Sequence, residues 1–115
     1  MLCALHAYMR MCYRMQVSST PAGDFEAAGE LFKVLSAPLR LGIVEQLASR
    51  EKCVHELVDA LDAAQPLISQ HLRVLRAARV VRGSRRGREV AYEIADDHIT
   101  HIVLDALTHI REDQP

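Results

Sequence analysis

The chain has 115 residues, with 14 Lys and Arg against 15 Asp and Glu, and half of it is hydrophobic. That is one domain's length with enough apolar content for a core, which excludes long disorder, and no apolar run reaches the ~20 residues that span a bilayer. Aromatic residues make up only 4% and Trp is absent, so the core must be aliphatic.

The first fifteen residues, MLCALHAYMRMCYRM, are partly apolar. Arg10 and Arg14 follow the apolar part and no basic residue precedes it, so the pattern is not that of a secretory signal. Four Met in this stretch leave the true translation start open. QVSSTPAG, residues 16–23, reads as a linker. Residues 1–23 are therefore expected to be an N-terminal arm, disordered or partly an upstream start, and residues 24–113 the folded domain. Asp24 is the expected N-cap of a helix with Phe25, Ala28, Leu31, Phe32 and Leu35 at helical spacing. Ser36 and Pro38 start a second helix, with Leu39, Ile43, Val44 and Leu47 on one face. A short helix is expected from Val54 to Leu61, then a turn at Asp62-Ala63-Ala64. Gln65-Pro66 opens the next helix, with Leu67, Ile68, Leu72 and Leu75 facing inward. After Ala78 the period changes. Residues 80–82 and 90–94 read as short strands, and GSRRGRE between them as an Arg-loaded loop. Asp96 or Asp97 caps the last helix, HITHIVLDALTHI.

The near-zero net charge argues at first against a nucleic-acid ligand, but it hides an uneven distribution. Residues 71–90 hold seven Arg (Arg73, Arg76, Arg79, Arg82, Arg85, Arg86, Arg88) and one acid, whereas residues 91–115 hold six acids and one base. A run of charge is ordinarily a solvated face, and its place in the fold decides otherwise here. Two short helices joined by a tight turn, followed by a basic hairpin, predict a mainly α winged helix-turn-helix with a β-hairpin wing. The Arg block then begins in the recognition helix and ends at the wing. Gln65, Ser69 and Gln70 stand where side chains reach base edges, and Arg73, Arg85, Arg86 and Arg88 suit phosphates. Leu67 is a core residue or a contact for a thymine methyl. Arg76 and Arg79 are read equally as nucleic-acid contacts or as surface and supporting residues.

The last helix carries a second signal. At ~100° per residue, His98, His101, Asp105, His109 and Glu112 fall in a stripe of about 80°, opposite an apolar face formed by Ile102, Val103, Ala106, Leu107 and Ile110. A polar stripe is common on a surface helix; three His on one stripe are not. His98 and His109 lie about 16 Å apart along the helix, far beyond the reach of one ion. A two-fold antiparallel pair removes the difficulty, because residue i meets residue j where i + j is constant. The 98/109 and 96/112 pairs share that constant to within one. Asp96 and His98 of one chain thus meet His109 and Glu112 of the other, giving two sites per homodimer. Two imidazoles and two carboxylates suit tetrahedral zinc or cobalt, whereas nickel wants more ligands, from His101, Asp105 or an arm residue such as His6. No open position beside a paired base is evident, so the site is read as regulatory rather than catalytic. Cys3, Cys12 and Cys53 are no disulfide framework and fit a reducing, cytoplasmic setting.

LSAPLRLGIVEQL, CVHELVDAL, QPLISQHLRVLRAARVV, the RRGREVAY wing and the D-x-H-x10-H-x2-E pattern of Asp96, His98, His109 and Glu112 together resemble the ArsR/SmtB metal-sensing repressors over residues 24–113. The C-terminal-helix zinc pattern of that family is matched at all four positions. The resemblance implies a cytoplasmic, homodimeric repressor that holds a palindromic operator when metal-free and is released by zinc. It also implies a second candidate metal site at Cys53 and Glu56, joined by arm residues such as Cys3, His6 or Cys12. Against it stands an inert, partly buried thiol. The arsenic-type Cys-x-Cys is absent, since His55 occupies the second Cys place. The rival readings are a nickel or cobalt sensor of the same family, and a zinc-bridged dimeric interaction module that reads no DNA. An enzyme is not expected: the sequence has no nucleophile–base pair, Gly-rich phosphate loop or HExxH.

Overall fold

The computed structural model describes residues 21–112. The expectations for the arm, including Cys3, His6 and Cys12, lie outside the described residues. The chain divides into two compact units, residues 1–32 and 33–115.

In the first unit the described part belongs to helix α1, Pro21–Leu35. It starts inside the stretch read as linker, so Asp24 lies in its first turn and is not its N-cap. Phe25 and Phe32, expected on a core face, are 68% and 56% exposed.

The second unit takes the end of α1 and continues with α2 (Pro38–Ser49), β1 (Lys52–Cys53), α3 (Val54–Leu61), α4 (Gln65–Ala77), β2 (Val81–Arg86), β3 (Glu89–Ile94) and α5 (Asp97–Glu112). It is a winged helix-turn-helix with a three-stranded antiparallel sheet in the order β1-β3-β2. Its core is aliphatic, as the composition requires: Leu35, Ile43, Val44, Leu47, Leu57, Ile68, Leu72, Leu75, Val80, Val81, Ala91, Ile99 and Val103 are buried. Leu39 is only half-buried.

Local chemistry sets the element ends. Pro38 sits in the first turn of α2, where its missing N–H costs nothing. Glu56, three residues into α3, accepts the Cys53 N–H at 3.1 Å and satisfies a donor the helix cannot. Asp62 turns left-handed at φ 50 and ends α3, and Ala63 N–H closes on the Val58 carbonyl at 3.4 Å. Three residues later α4 begins. Its inward line is Ile68, Leu72 and Leu75. Leu67, expected beside them, is 43% exposed, because it lies about 100° round the helix from that line. At the far end Arg79 adopts φ 62, and the Arg79 and Val80 N–H groups bond the Arg76 and Leu75 carbonyls at 3.0 and 2.9 Å. This Schellman closure drops Val80 and Val81 into the core.

The wing differs from expectation in length. The strands run on through the Arg-rich segment, pairing Arg82 with Glu93, Ser84 with Ala91 and Arg86 with Glu89. Only Gly87 and Arg88 are left in the turn. Gly87 has φ 66, at the first central position, where hairpin turns favour glycine. A Cβ at Gly83 would come within 3.0 Å of Val90 Cγ1 and 3.2 Å of the Tyr92 ring, so any larger residue there would push these cross-strand side chains aside. The two-residue β1 was not expected. It pairs Lys52 with Tyr92 and Cys53 with Ala91, tying the start of α3 to the wing. The last helix packs on α2 and β3 through Ile99 and Val103.

Candidate nucleic-acid interface and metal centres

Burying Ile68, Leu72 and Leu75 turns the other side of α4 to solvent. Gln65, Leu67, Gln70 and Arg73 are exposed there, and Ser69 is half-buried. No side-chain cap covers the start of α4, which leaves its positive end open to anions. One bond fixes this helix from behind, and a second anchors the arginine that makes it. Arg40 of α2 donates from Nε to His71 Nδ1 at 3.0 Å and from its guanidinium to the Val34 carbonyl at 3.0 Å.

The four arginines expected as phosphate contacts are not equivalent. Arg73, Arg85 and Arg88 are exposed and engage no acid among the described residues. Arg86 forms an ion pair with Glu51. A phosphate would have to compete with that carboxylate. Arg82, not singled out for DNA, pairs with Glu93 across the hairpin at 2.7 Å and stiffens the wing.

On α5 the sequence-predicted ligands fall into two groups. Asp96 is the N-cap, its Oδ1 accepting the His98 N–H at 2.9 Å. The same oxygen stands 2.8 Å from His98 Nδ1. These two hydrogen bonds, backbone first, hold the Asp96 carboxyl below the usual carboxylate range. A carboxylate and an imidazole are thus already together at the helix start. His109 and Glu112 occupy the other end of the helix and are exposed. Between them, Arg111 reaches Glu45 of α2 at 2.8 Å and ties that end down. His101 and Asp105 are exposed between the two groups.

The Glu56 carboxylate meets Cys53 through the backbone rather than the thiol. Glu56 is spent on the Cys53 N–H and on Arg50, at 2.5 Å. The Arg50 hydrogen bond, then the backbone one, lowers its pKa. What meets Cys53 instead is His55 and Glu89, whose donor atoms lie within 4.8 Å of one another and of the thiol sulfur. Sequence reasoning missed Glu89. The only signal that could have found it is the pairing of β1 with β3.

A helix-turn-helix with an exposed polar recognition face and a basic wing defines a DNA-binding regulator. The family profile described as "Bacterial regulatory protein, arsR family" matches residues 37–82. Over 93 residues the chain is 58% identical to the HTH-type transcriptional repressor SmtB of Mycobacterium tuberculosis, covering 81% of this chain and 69% of that one. The crystal structure of the transcriptional repressor BigR from Xylella fastidiosa superposes with a TM-score of 0.67 at 32% identity, over 80% of this chain and 96% of that one. A homodimeric winged helix-turn-helix domain from Mycobacterium bovis shares the fold, with a TM-score of 0.72 at 21% identity, over 84% and 92% of the two chains. The chain belongs to the ArsR family and is a transcriptional repressor of its SmtB-type branch, not an enzyme.

Proposed function

We propose that this repressor is zinc-responsive. As a homodimer in the cytoplasm it holds a palindromic operator when metal-free. It leaves the operator when zinc is held by Asp96 and His98 of one chain with the partner subunit's His109 and Glu112. The observation that carries the reading is the Asp96–His98 pair at 2.8 Å: half of a two-nitrogen, two-oxygen donor set stands assembled and exposed at one end of α5. The other half lies at the far end of the same helix, about 16 Å away, so only a second chain completes it. The donor chemistry fits zinc or cobalt. When bound, zinc supplies a cross-link between subunits. Ile110, on the same helix and 56% exposed, gives the partner an apolar surface to cover.

The remaining work falls to the chain's own residues. Gln65, Ser69 and Gln70 face base edges, with Leu67 placed for a thymine methyl. Arg73, Arg85 and Arg88 face phosphates, with Arg86 shared between phosphate and Glu51. Arg111–Glu45 grips α2 from α5, and Arg40–His71 grips α4 from α2, so α5 and the recognition helix are fastened to one common element. Metal weakens operator binding only to the extent that it prefers the free dimer, with a coupling of about 1–3 kcal/mol, or roughly 5–150-fold. The experiment is operator titration with the purified protein in the presence of zinc, cobalt, nickel or no metal. Zinc should weaken binding within that range. Equal affinities defeat the zinc reading, a response to nickel alone moves the site to His101 or the arm, and no operator binding at all leaves a metal-bridged interaction module.

A further inference from the structure

We propose that Cys53, His55 and Glu89 form a second cation site, complete within one chain, for a borderline-soft divalent ion such as zinc or cobalt. None of its ligands lies on α5, so it does not rest on the reading above. Its geometry follows from the sheet. Cys53 pairs with Ala91 across β1 and β3, and Glu89, two residues before Ala91, points to the same face. Cys53 and Glu89 are therefore diagonal cross-strand neighbours. His55 stands in the first turn of α3, its Nδ1 3.1 Å from Glu89 Oε1. The three donor atoms span no more than 4.8 Å. Around a tetrahedral zinc, with bonds of about 2.0–2.3 Å, donors sit about 3.4–3.8 Å apart, so side-chain rotation of about an ångström closes the set.

The setting suits an ion. A cavity of about 300 Å³ opens on these residues, lined also by Gln65, Val90 and Tyr92, which leaves room for water or the Gln65 amide as a fourth ligand. One sulfur, one nitrogen and one oxygen match zinc or cobalt and not the all-oxygen shells of magnesium or calcium. The thiol is held protonated by its burial first and then by its hydrogen bond to Glu89. On binding, the sulfur–hydrogen bond breaks, a sulfur–metal bond forms and one proton leaves to solvent. The ion would then join the start of the helix-turn-helix, the wing strand β3 beside its turn and, through Gln65, the first residue of the recognition helix.

The test is cobalt titration of the full chain carrying Cys3→Ser, Cys12→Ser and His109→Ala. Cys53 is then the sole thiol, and the C-terminal-helix set lacks a ligand. Sulfur-to-cobalt charge-transfer absorption in the near ultraviolet should rise to one cobalt per chain. Adding Cys53→Ser should abolish it, and His55→Ala or Glu89→Gln should each weaken cobalt binding at least about tenfold. Absence of the band at millimolar cobalt, or unchanged affinity in both His55→Ala and Glu89→Gln, overturns the site. If Cys53→Ser does not fold by circular dichroism, those last two variants carry the test alone. Because the band needs sulfur and the C-terminal-helix set has none, failure here is distinct from failure of the zinc-responsive reading.

Discussion

The two proposed metal centres of this small domain follow opposite plans. The residues on α5 are separated by the length of a helix and need a second chain to meet, whereas Cys53, His55 and Glu89 are gathered by the start of one helix and one strand pairing within a single chain. The first plan makes metal binding depend on the dimer and so reports on the relation between subunits. The second reports on the relation between wing and recognition helix inside one subunit. Helices keep their two ends apart; sheets bring distant segments of sequence side by side.

Breaking the dimer should separate the two most sharply. Ile110→Asp removes an apolar side chain whose burial is worth about 1.5–3 kcal/mol in each subunit and puts a charge in its place. Sedimentation should show association weakened by at least about a hundredfold, with the metal bound through α5 lost and the thiolate-bound cobalt retained. His109→Ala comes next. It should keep operator affinity within about twofold while erasing the roughly 5–150-fold metal response, as read by fluorescence anisotropy of a labelled operator. Third, Arg85→Ala with Arg88→Ala should weaken operator binding at all sequences and lower the slope of log affinity on log salt by about 2, with both metal centres intact. The smallest effect is acid dependence. Glu56 has its pKa lowered by Arg50. Its contribution is therefore fully present above the ordinary glutamate value of about 4.3 and is lost as pH falls through the depressed one. Thermal melts of wild type and Glu56→Gln, taken downward from neutral pH, should converge in acid. A constant gap between them would show that the Arg50 contact does not govern the acid dependence.

Helices and their buried lines were legible because the period of 3.6 is written in the residues: Ile43, Val44 and Leu47, or Ile68, Leu72 and Leu75, are spaced by it. Leu67 was misread because an apolar residue beside a core line looks like part of it until the rotation is counted. The wing strands were drawn too short because Gly83, Ser84, Arg85 and Arg86 have a loop's composition. They are strand because each pairs with β3, a tertiary fact that outweighs propensity. The exposed polar stripe of α5 was legible for the same reason as the core lines. Glu89 was not, since a two-residue strand such as Lys52–Cys53 has no period to read, and without it nothing links residues 53 and 89.

The placement of Arg40 and Glu45 on one helix has a mechanical consequence. They stand five residues apart, about 7.5 Å along α2, and each holds a neighbour by a directional, charge-assisted bond. A helix gripped in this way can act as a strut that carries a displacement from one grip to the other. Packed elements exchange between discrete seats more readily than they bend. A tilt imposed at the Glu45 end would therefore be felt at the Arg40 end, beneath the helix that carries Gln65 and Arg73.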